Sequence, residues 1–577
     1  MEIKFSAQQR AIIERVLTFV SNVCIKANAG TGKSWTIVQL CIIIARKLGF
    51  RKYDMLFLAF NRSTADDLKK KGIEFRKYTQ GESIPTGYSV DEDGYLLDAD
   101  GEKIPTRFLR NIADVANLHS FGLRCLNNAL KGTGIRICRE NKNVDNDKYK
   151  KIIRRMVSPT YEGNKSEVVS TANDLFDLCR INLLKYGDMA AMDALIKHHS
   201  MRVNAEIIRI VNELMKTAYQ FDFNNPVVNF TDMLVFPMAM HYRNPALGII
   251  PTYRLVFIDE CQDLSKAQRQ LMRFAAREGK FIAVGDPNQA INGFAGANND
   301  SFDQIARLNN TITLPLSVNY RCDRAIIKLA QEIVPEIQAC DKAGEGVISV
   351  INELTADTFK EGYTIEVVDK NTGEIRKKYI EGDMVLCRCS APLVSMCIKL
   401  IAAGKTAQVL GKDIVSSIKS VIDRSEVKTI KGFKSWVEVE KERLALEIAK
   451  DKDCSKEEAR QCPAYITFMD KVNCVLAFSH RESNLNYILQ ELNAIFTDER
   501  KKGAITFCTA HKSKGLENNR VFILAPERLP MTWKGQQDWE FEQEMNLKYV
   551  AITRAKHELV WVNIEQNALF GIEFSDK

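Results

Sequence analysis

The most constraining feature of this chain is a short glycine-rich turn, Ala27-Asn28-Ala29-Gly30-Thr31-Gly32-Lys33-Ser34. It follows an apolar run, Val23–Ala27, that reads as a buried strand, and it opens a helix-forming run, Trp35–Leu48. Gly49 is placed to end that helix, because glycine accepts the left-handed conformation of a helix C-terminus. Strand, tight turn and helix in this order make a phosphate cradle. Gly30 and Gly32 let the backbone curl so that its N–H groups face phosphate oxygens. Lys33 supplies a charge for the β- and γ-phosphates, and Ser34 a hydroxyl for Mg²⁺. Ala27 through Ser34 are therefore the expected nucleotide-binding residues, with ATP and Mg²⁺ as ligands. Upstream, Gln9 in Phe5-Ser6-Ala7-Gln8-Gln9 is a candidate for the adenine edge. The alternative there is an ordinary N-cap followed by surface glutamines.

A second apolar run, Leu255–Ile258, ends in the acids of Asp259-Glu260-Cys261-Gln262-Asp263. ATP hydrolysis needs one carboxylate for the metal and one to orient or deprotonate water, and adjacent residues at a strand end can divide those roles. Asp259 is assigned to Mg²⁺ and Glu260 to the water. A third run, Phe281–Val284, leads into Gly285-Asp286-Pro287-Asn288-Gln289, where Gln289 is the candidate reporter of the γ-phosphate.

With 577 residues the chain exceeds the roughly 250–300 residues at which single cores stop growing. Further strand candidates are Met55–Phe60, Ile505–Cys508, Val521–Ala525 and Leu559–Val562. Stretches near 146–225 and 416–500 read as charged and helical. The expectation is α/β, with two cores and a helical insertion in each. Core 1 takes 1–120 and 226–310, insertion 1 takes 121–225, core 2 takes 311–415 and 501–577, and insertion 2 takes 416–500. Tyr88–Ile104 and Tyr363–Tyr379 read as β-hairpin decorations.

The net charge of +8 permits a polyanionic partner without demanding one. None of the 15 cysteines forms a CxxC pair, so a zinc site is not expected, and the thiols read as reduced. The N-terminal MEIKFSAQQR has no signal-peptide core, and no apolar run is long enough to span a bilayer. A soluble intracellular, cytoplasmic protein without a membrane partner is expected.

These segments resemble, in order, the motifs of UvrD/Rep-like superfamily 1 helicases. Ala59-Phe60-Asn61-Arg62-Ser63 looks like motif Ia and Asn117-Leu118-His119-Ser120-Phe121 like motif Ib. Val284–Ala297 is similar to motif III and Asn319-Tyr320-Arg321 to motif IV. Thr509–Glu517 matches motif V and Tyr549–Ala555 motif VI. The Ala59–Ser63 run and Asn546-Leu547-Lys548-Tyr549 resemble the F-box helicase branch in particular.

The resemblance implies two RecA-like P-loop cores with ATP bound between them. Arg321 and Arg554 would act as arginine fingers, Tyr320 would stack on adenine, and Glu517 would bind ribose. Phe60 and Phe294 would stack on DNA bases, with Asn61, His119, Thr509 and His511 as polar contacts. Phe60 as a core residue and His119 as a structural histidine are the alternatives. Asp232-Met233-Leu234 looks like a structural element of the family without chemistry.

The implied activity is ATP-driven 3′→5′ travel on single-stranded DNA with duplex unwinding. Its substrates would be single strands and single-strand/duplex junctions, with loading, replication or repair proteins as partners. The competing readings are a translocase that strips proteins from single strands with little unwinding, and a DNA-binding scaffold with a decayed ATP site. Motif III departs from the family pattern at Asn292, where Tyr is usual, and at Ala295, where Arg is usual. Asn28 stands where the family has Gly.

Overall fold

The structure is a computed structural model that describes residues 5–77, 84, 88–90, 94–98, 102–140, 142–199, 201–291, 293, 300–368, 375–479 and 483–563. Phe294, Asn292 and Ala295 lie outside the described residues, as do parts of both expected hairpins. The chain forms two compact units, one running through Leu316 and the other from Ser317, with Ala29–Thr31 counted in the second.

The first unit is built on a six-stranded sheet whose order is Thr311–Leu316, Asn22–Ala27, Lys280–Gly285, Leu255–Ile258, Met55–Ala59 and Asp114–Asn117. All five pairings are parallel. Parallel strands need crossover helices, which cover both faces and make the strands apolar throughout. Side chains therefore alternate between two cores. Ile25, Phe57 and Phe257 face a cluster with Ile12, Ile37 and Ile44 from the helices Ala7–Leu17 and Lys33–Lys47. Cys24, Leu56 and Val256 face the other, with Phe121 and Phe236 from Leu118–Ala129 and Phe230–Arg243.

Two domain boundaries read from the sequence are corrected. The sequence places Thr311–Leu316 in the second core, but this strand pairs with Asn22–Ala27 in the first sheet. Pro315 hides it in the sequence, because proline reads as a strand breaker, yet an edge strand tolerates it. The sequence begins the first insertion at residue 121, but Phe121, Cys125 and Leu126 pack into the α/β core. A separate helical core starts only at Tyr149 and runs to Ala218. It is formed by the helices Lys148–Met156, Lys165–Ile181, Met189–His198 and Ala205–Met215. Ile153, Phe176 and Ile210 are fully buried there, each contributing about 1.5–3 kcal/mol.

Asp232 ties this helical core to the sheet. Its carboxylate accepts from Lys148 Nζ and Tyr149 Oη, both at 2.9 Å, pairs with Arg180, and caps its own helix through the Asn229 N–H at 3.0 Å. Burial pushes the acid's pKa up, but Arg180 and Lys148 outweigh it and hold the carboxyl below its usual range. The role is structural, as expected of this element.

The second unit carries a seven-stranded sheet in the order Val347–Ile351, Ala555–Val562, Asn518–Leu524, Met384–Cys387, Ile505–Thr509, Ala407–Leu410 and Phe496–Thr497. Its pairings are all parallel. The helices Lys412–Ser425, Ile430–Lys452, Pro463–Leu476 and Leu485–Ile495 follow in the stretch expected to be helical. Unlike the first helical group they share one core with their sheet, since Ile418, Phe433, Val472 and Ile488 pack with Val385, Val409 and Phe507. Two antiparallel ribbons, Gly72–Phe75 with Pro105–Phe108 and Tyr363–Val368 with Ile375–Ile380, decorate the two units.

Candidate functional site

Three strands of the first sheet deliver their carboxyl ends side by side: Asn22–Ala27, Lys280–Gly285 and Leu255–Ile258. In open α/β sheets ligands bind at this edge. Gly30 and Gly32 take φ of +67° and +77°, a region that glycine enters without a Cβ penalty. Helix Lys33–Lys47 then starts, placing its N-terminus at the turn. Ser34 Oγ donates to Asp259 Oδ2 at 2.9 Å, and Lys33 Nζ lies 3.6 Å from Glu260 Oε1. Glu260 itself sits at φ +52°, a strained conformation for a residue with a side chain, costing on the order of 1–3 kcal/mol.

Gln262 organises this corner. Its Nε2 donates to Glu260 Oε2 at 2.5 Å, and its Oε1 accepts from the Asp286 N–H at 3.1 Å. Asp286 Oδ2 in turn accepts from Gln289 Nε2 at 2.7 Å. Gly285 is required by this close approach, because a Cβ there would stand 2.5 Å from Gln262 Oε1. Burial, reinforced by the Glu260 charge, pushes Asp259 up to about 6, while Lys33 pulls the other way. Burial also raises Asp286 against the same lysine. A buried cluster of acids facing one lysine is the electrostatic setting a divalent cation completes.

Gln9 is buried. Its Oε1 accepts from the Ser6 N–H at 3.0 Å in a capping box, and its Nε2 donates to Thr36 Oγ1 at 3.2 Å on the helix that follows the glycine-rich turn. The capping box is the ordinary N-cap role, but Gln9 is packed against the helix after the turn and is not a surface glutamine.

In the second unit Arg321, Glu517 and Arg554 come together. Arg321 Nε pairs with Glu517 Oε2 at 2.5 Å, and Lys556 Nζ with Glu517 Oε1 at 2.8 Å. Burial raises Glu517, but the two cations outweigh it and keep the carboxyl below its usual range. Arg554 is only 1% exposed and donates to the Val550 carbonyl at 2.8 Å, the Leu516 carbonyl at 2.9 Å and Thr553 Oγ1 at 3.0 Å. Arg321 Nη1 reaches the Thr553 carbonyl at 3.3 Å, so both arginines converge on Thr553. Tyr320 presents its ring to solvent.

Phe60, Asn61 and His119 line one groove of about 830 Å³ in the first unit, with Arg62, Arg124 and Arg136. Phe60 also packs against the core, as its alternative reading has it. Asn61 Oδ1 caps the helix Arg62–Lys70 by accepting from the Thr64 N–H at 2.7 Å. The His119 ring meets Phe230 edge-on at 5.5 Å, and burial lowers its pKa. In the second unit Thr509 ends strand Ile505–Thr509 and His511 lies in the turn that follows, where Thr509 Oγ1 accepts from the Lys512 N–H at 3.3 Å. Burial, with Arg388 and Lys512 adding, pulls His511 down to about 3.

Gln262, Asp286, Lys556 and Phe230 have no role that is legible from the sequence alone. Phe230 comes closest: Asn229 and Asp232 form a capping box, which places an aromatic ring on the first helical residue beside the groove.

The profile of the UvrD/REP helicase N-terminal domain matches residues 5–309, more than half of the chain. The chain belongs to the UvrD/REP helicase family. The UvrD-like helicase C-terminal domain matches residues 414–566. Over 622 aligned positions the chain is 22% identical to a probable DNA helicase II homolog of Mycoplasma pneumoniae, covering 94% of this chain and 81% of that protein. It is 24% identical over 329 residues to the ATP-dependent DNA helicase PcrA of Staphylococcus aureus, covering 56% of this chain and 39% of PcrA. It is 35% identical over 109 residues to the mitochondrial ATP-dependent DNA helicase HMI1 of Saccharomyces cerevisiae, covering 18% of this chain and 15% of that protein. The matches thus span well under half of the staphylococcal and yeast proteins. The chain thus carries both the N-terminal and the C-terminal domain of that family, built on its two α/β sheets. No helix among the described residues is long and apolar enough to cross a membrane.

Proposed function

We infer that this helicase hydrolyses ATP at Lys33, Asp259 and Glu260 and uses it to travel 3′→5′ on single-stranded DNA, opening duplexes at single-strand junctions. The observation that carries the ATP chemistry is the Ser34–Asp259–Glu260–Lys33 cluster at the carboxyl edge of the first sheet. Ser34 and Asp259 offer the paired oxygens a hard cation takes, and would hold Mg²⁺, which offsets phosphate charge when bound. The backbone from Ala27 to Thr31 and Lys33 hold the phosphates. Glu260 orients the attacking water, and Gln262 holds Glu260 in register with Asp286. Gln289 senses the γ-phosphate through the same corner.

Arg321 and Arg554 stabilise charge developing on the transferred phosphoryl group. Tyr320 offers its exposed ring to adenine, Glu517 binds ribose, and Gln9 reads the base edge. Phe60, with Phe230 beside it, stacks on bases, while Asn61, His119, Thr509 and His511 supply polar contacts. Stacking suits a motor because every base has a π-face. The protein works as a soluble intracellular enzyme alongside loading, replication or repair proteins.

The test is steady-state ATPase with and without oligo(dT). Strong stimulation by the single strand is expected, with Phe60→Ala and Phe230→Ala raising the DNA concentration needed for half-stimulation. Hydrolysis indifferent to single-stranded DNA would oppose the reading. Strand displacement measured beside displacement of a DNA-bound protein separates an unwinding enzyme from a stripping translocase.

A further inference from the structure

The groove that holds Phe60 and His119 does not end beside them. A second cavity of about 650 Å³ adjoins it, lined by Tyr53, Asp114, Lys131 and Tyr253, and the two cavities share Arg124, Asn127 and Arg136. Phe60 and Asn117 stand at the carboxyl ends of strands Met55–Ala59 and Asp114–Asn117. Tyr53, Asp114 and Tyr253 stand at the amino ends of those strands and of Leu255–Ile258. The joined cavities therefore run the length of the strands, alongside helix Leu118–Ala129.

The chemistry of the second cavity suits a polyanion carrying flat bases. Asp114 is the one acid among its described lining residues, and it is already neutralised. Both of its oxygens accept from Arg124 Nη1 at 2.8 Å, and one also from Tyr253 Oη at 2.8 Å. The Arg124 side chain nonetheless remains 46% exposed, and Lys131 and Arg136 are exposed. Gly132 and Gly134, at φ +88° and +76°, turn the loop between these two cations, and beyond their immediate chain neighbours no atom lies within 4 Å of where their Cβ atoms would stand. The backbone there is open to close approach. At the far end Tyr53 is 77% exposed, with Lys52 Nζ 5.7 Å from its ring centroid. Cations interleaved with an exposed ring are the pattern by which proteins hold single strands without regard to sequence.

We propose that the tracking DNA strand continues past Phe60 and His119 along this second cavity, with Arg124, Lys131 and Arg136 on its phosphates and Tyr53 stacking on a base beyond them. The inference rests on the proposed use of the first groove for DNA.

Binding of labelled dT oligomers of about 4 to 16 nucleotides, the usual range of single-strand site sizes, tests it. Wild-type affinity should rise with length to a plateau. Tyr53→Ala and Lys131→Ala should bind the shortest oligomers as wild type does but lose about tenfold on the longest, so the plateau arrives earlier. Lys131→Ala should also flatten the salt dependence on long oligomers by about 0.7 in log–log slope. Melting temperatures should match wild type, since both side chains lie at the surface. Wild-type binding at every length overturns the proposal, and so does a loss that appears only when a second, displaced strand is present. If Phe60→Ala binds every length normally, the first-groove reading fails instead, a result distinct from either.

Discussion

Ser34 Oγ and Asp259 Oδ2 are joined by a 2.9 Å hydrogen bond between residues 225 positions apart in the chain. One lies on the first turn of a helix and the other at a strand end, and parallel pairing through Lys280–Gly285 brings them together. The bond sets the hydroxyl and the carboxylate where a cation between them would find two oxygens. The ATP chemistry follows from that placement.

Lys33→Ala should abolish ATPase activity. Glu260→Gln should bind nucleotide but turn over more slowly by on the order of 10²–10³, the usual loss for one preorganised group. Nucleotide binding followed by fluorescence, beside single-turnover hydrolysis, checks both. Near-normal turnover in Glu260→Gln removes Glu260 from its role.

Arg321→Ala should lose hydrolysis by about 10³ or more while keeping most nucleotide affinity, because such an arginine acts chiefly on the transition state. Arg554→Ala should show the same kinetic split and also a lower melting temperature. Its guanidinium is buried and holds the Val550 and Leu516 carbonyls together. An Arg554→Ala protein that melts like wild type would contradict the packing; unchanged hydrolysis in both would contradict the catalytic role.

Asp232→Asn should destabilise the first unit by about 3–5 kcal/mol, since it leaves the buried Arg180 without its carboxylate. Urea unfolding measures the loss. Hydrogen exchange should show the helices between Lys148 and Met215 opening first. A change below about 1 kcal/mol would mean that the buried pair is replaceable by its neutral isostere.

His511, held near 3 against a usual 6.5, stays neutral in the folded protein throughout the neutral range. Below pH 6.5 the unfolded chain takes up a proton that the folded chain refuses. Stability is therefore complete above 6.5 and declines as pH falls toward 3, by up to about 1.4 kcal/mol per pH unit. His511→Gln should flatten that acid decline between pH 7 and pH 5. An unchanged acid slope would place the histidine in water.

The P-loop was legible because its signal is local: two glycines, a lysine and a hydroxyl between a strand and a helix. Asp259 and Glu260 were legible for the same reason. Gln262 was not, since its task depends on Asp286, a residue that only strand order brings near. Thr311–Leu316 was misplaced because a proline's tolerance at a sheet edge depends on neighbours the sequence does not reveal. Both helical insertions were visible as helix-rich stretches. Nothing in their patterning told that the first keeps its own core while the second shares one with its sheet. Phe230 is not legible because it begins a helix whose Asp232-Met233-Leu234 element is structural, and only the fold brings its ring to the groove.

Unwinding of duplexes bearing a 3′ or a 5′ single-stranded tail, with and without ATP and Mg²⁺, tests the central claim most directly. The account predicts ATP-dependent separation of the 3′-tailed duplex, little or none of the 5′-tailed or blunt duplex, and none with Glu260→Gln. Equal unwinding of both tailed substrates, or separation that persists in Glu260→Gln, would contradict it.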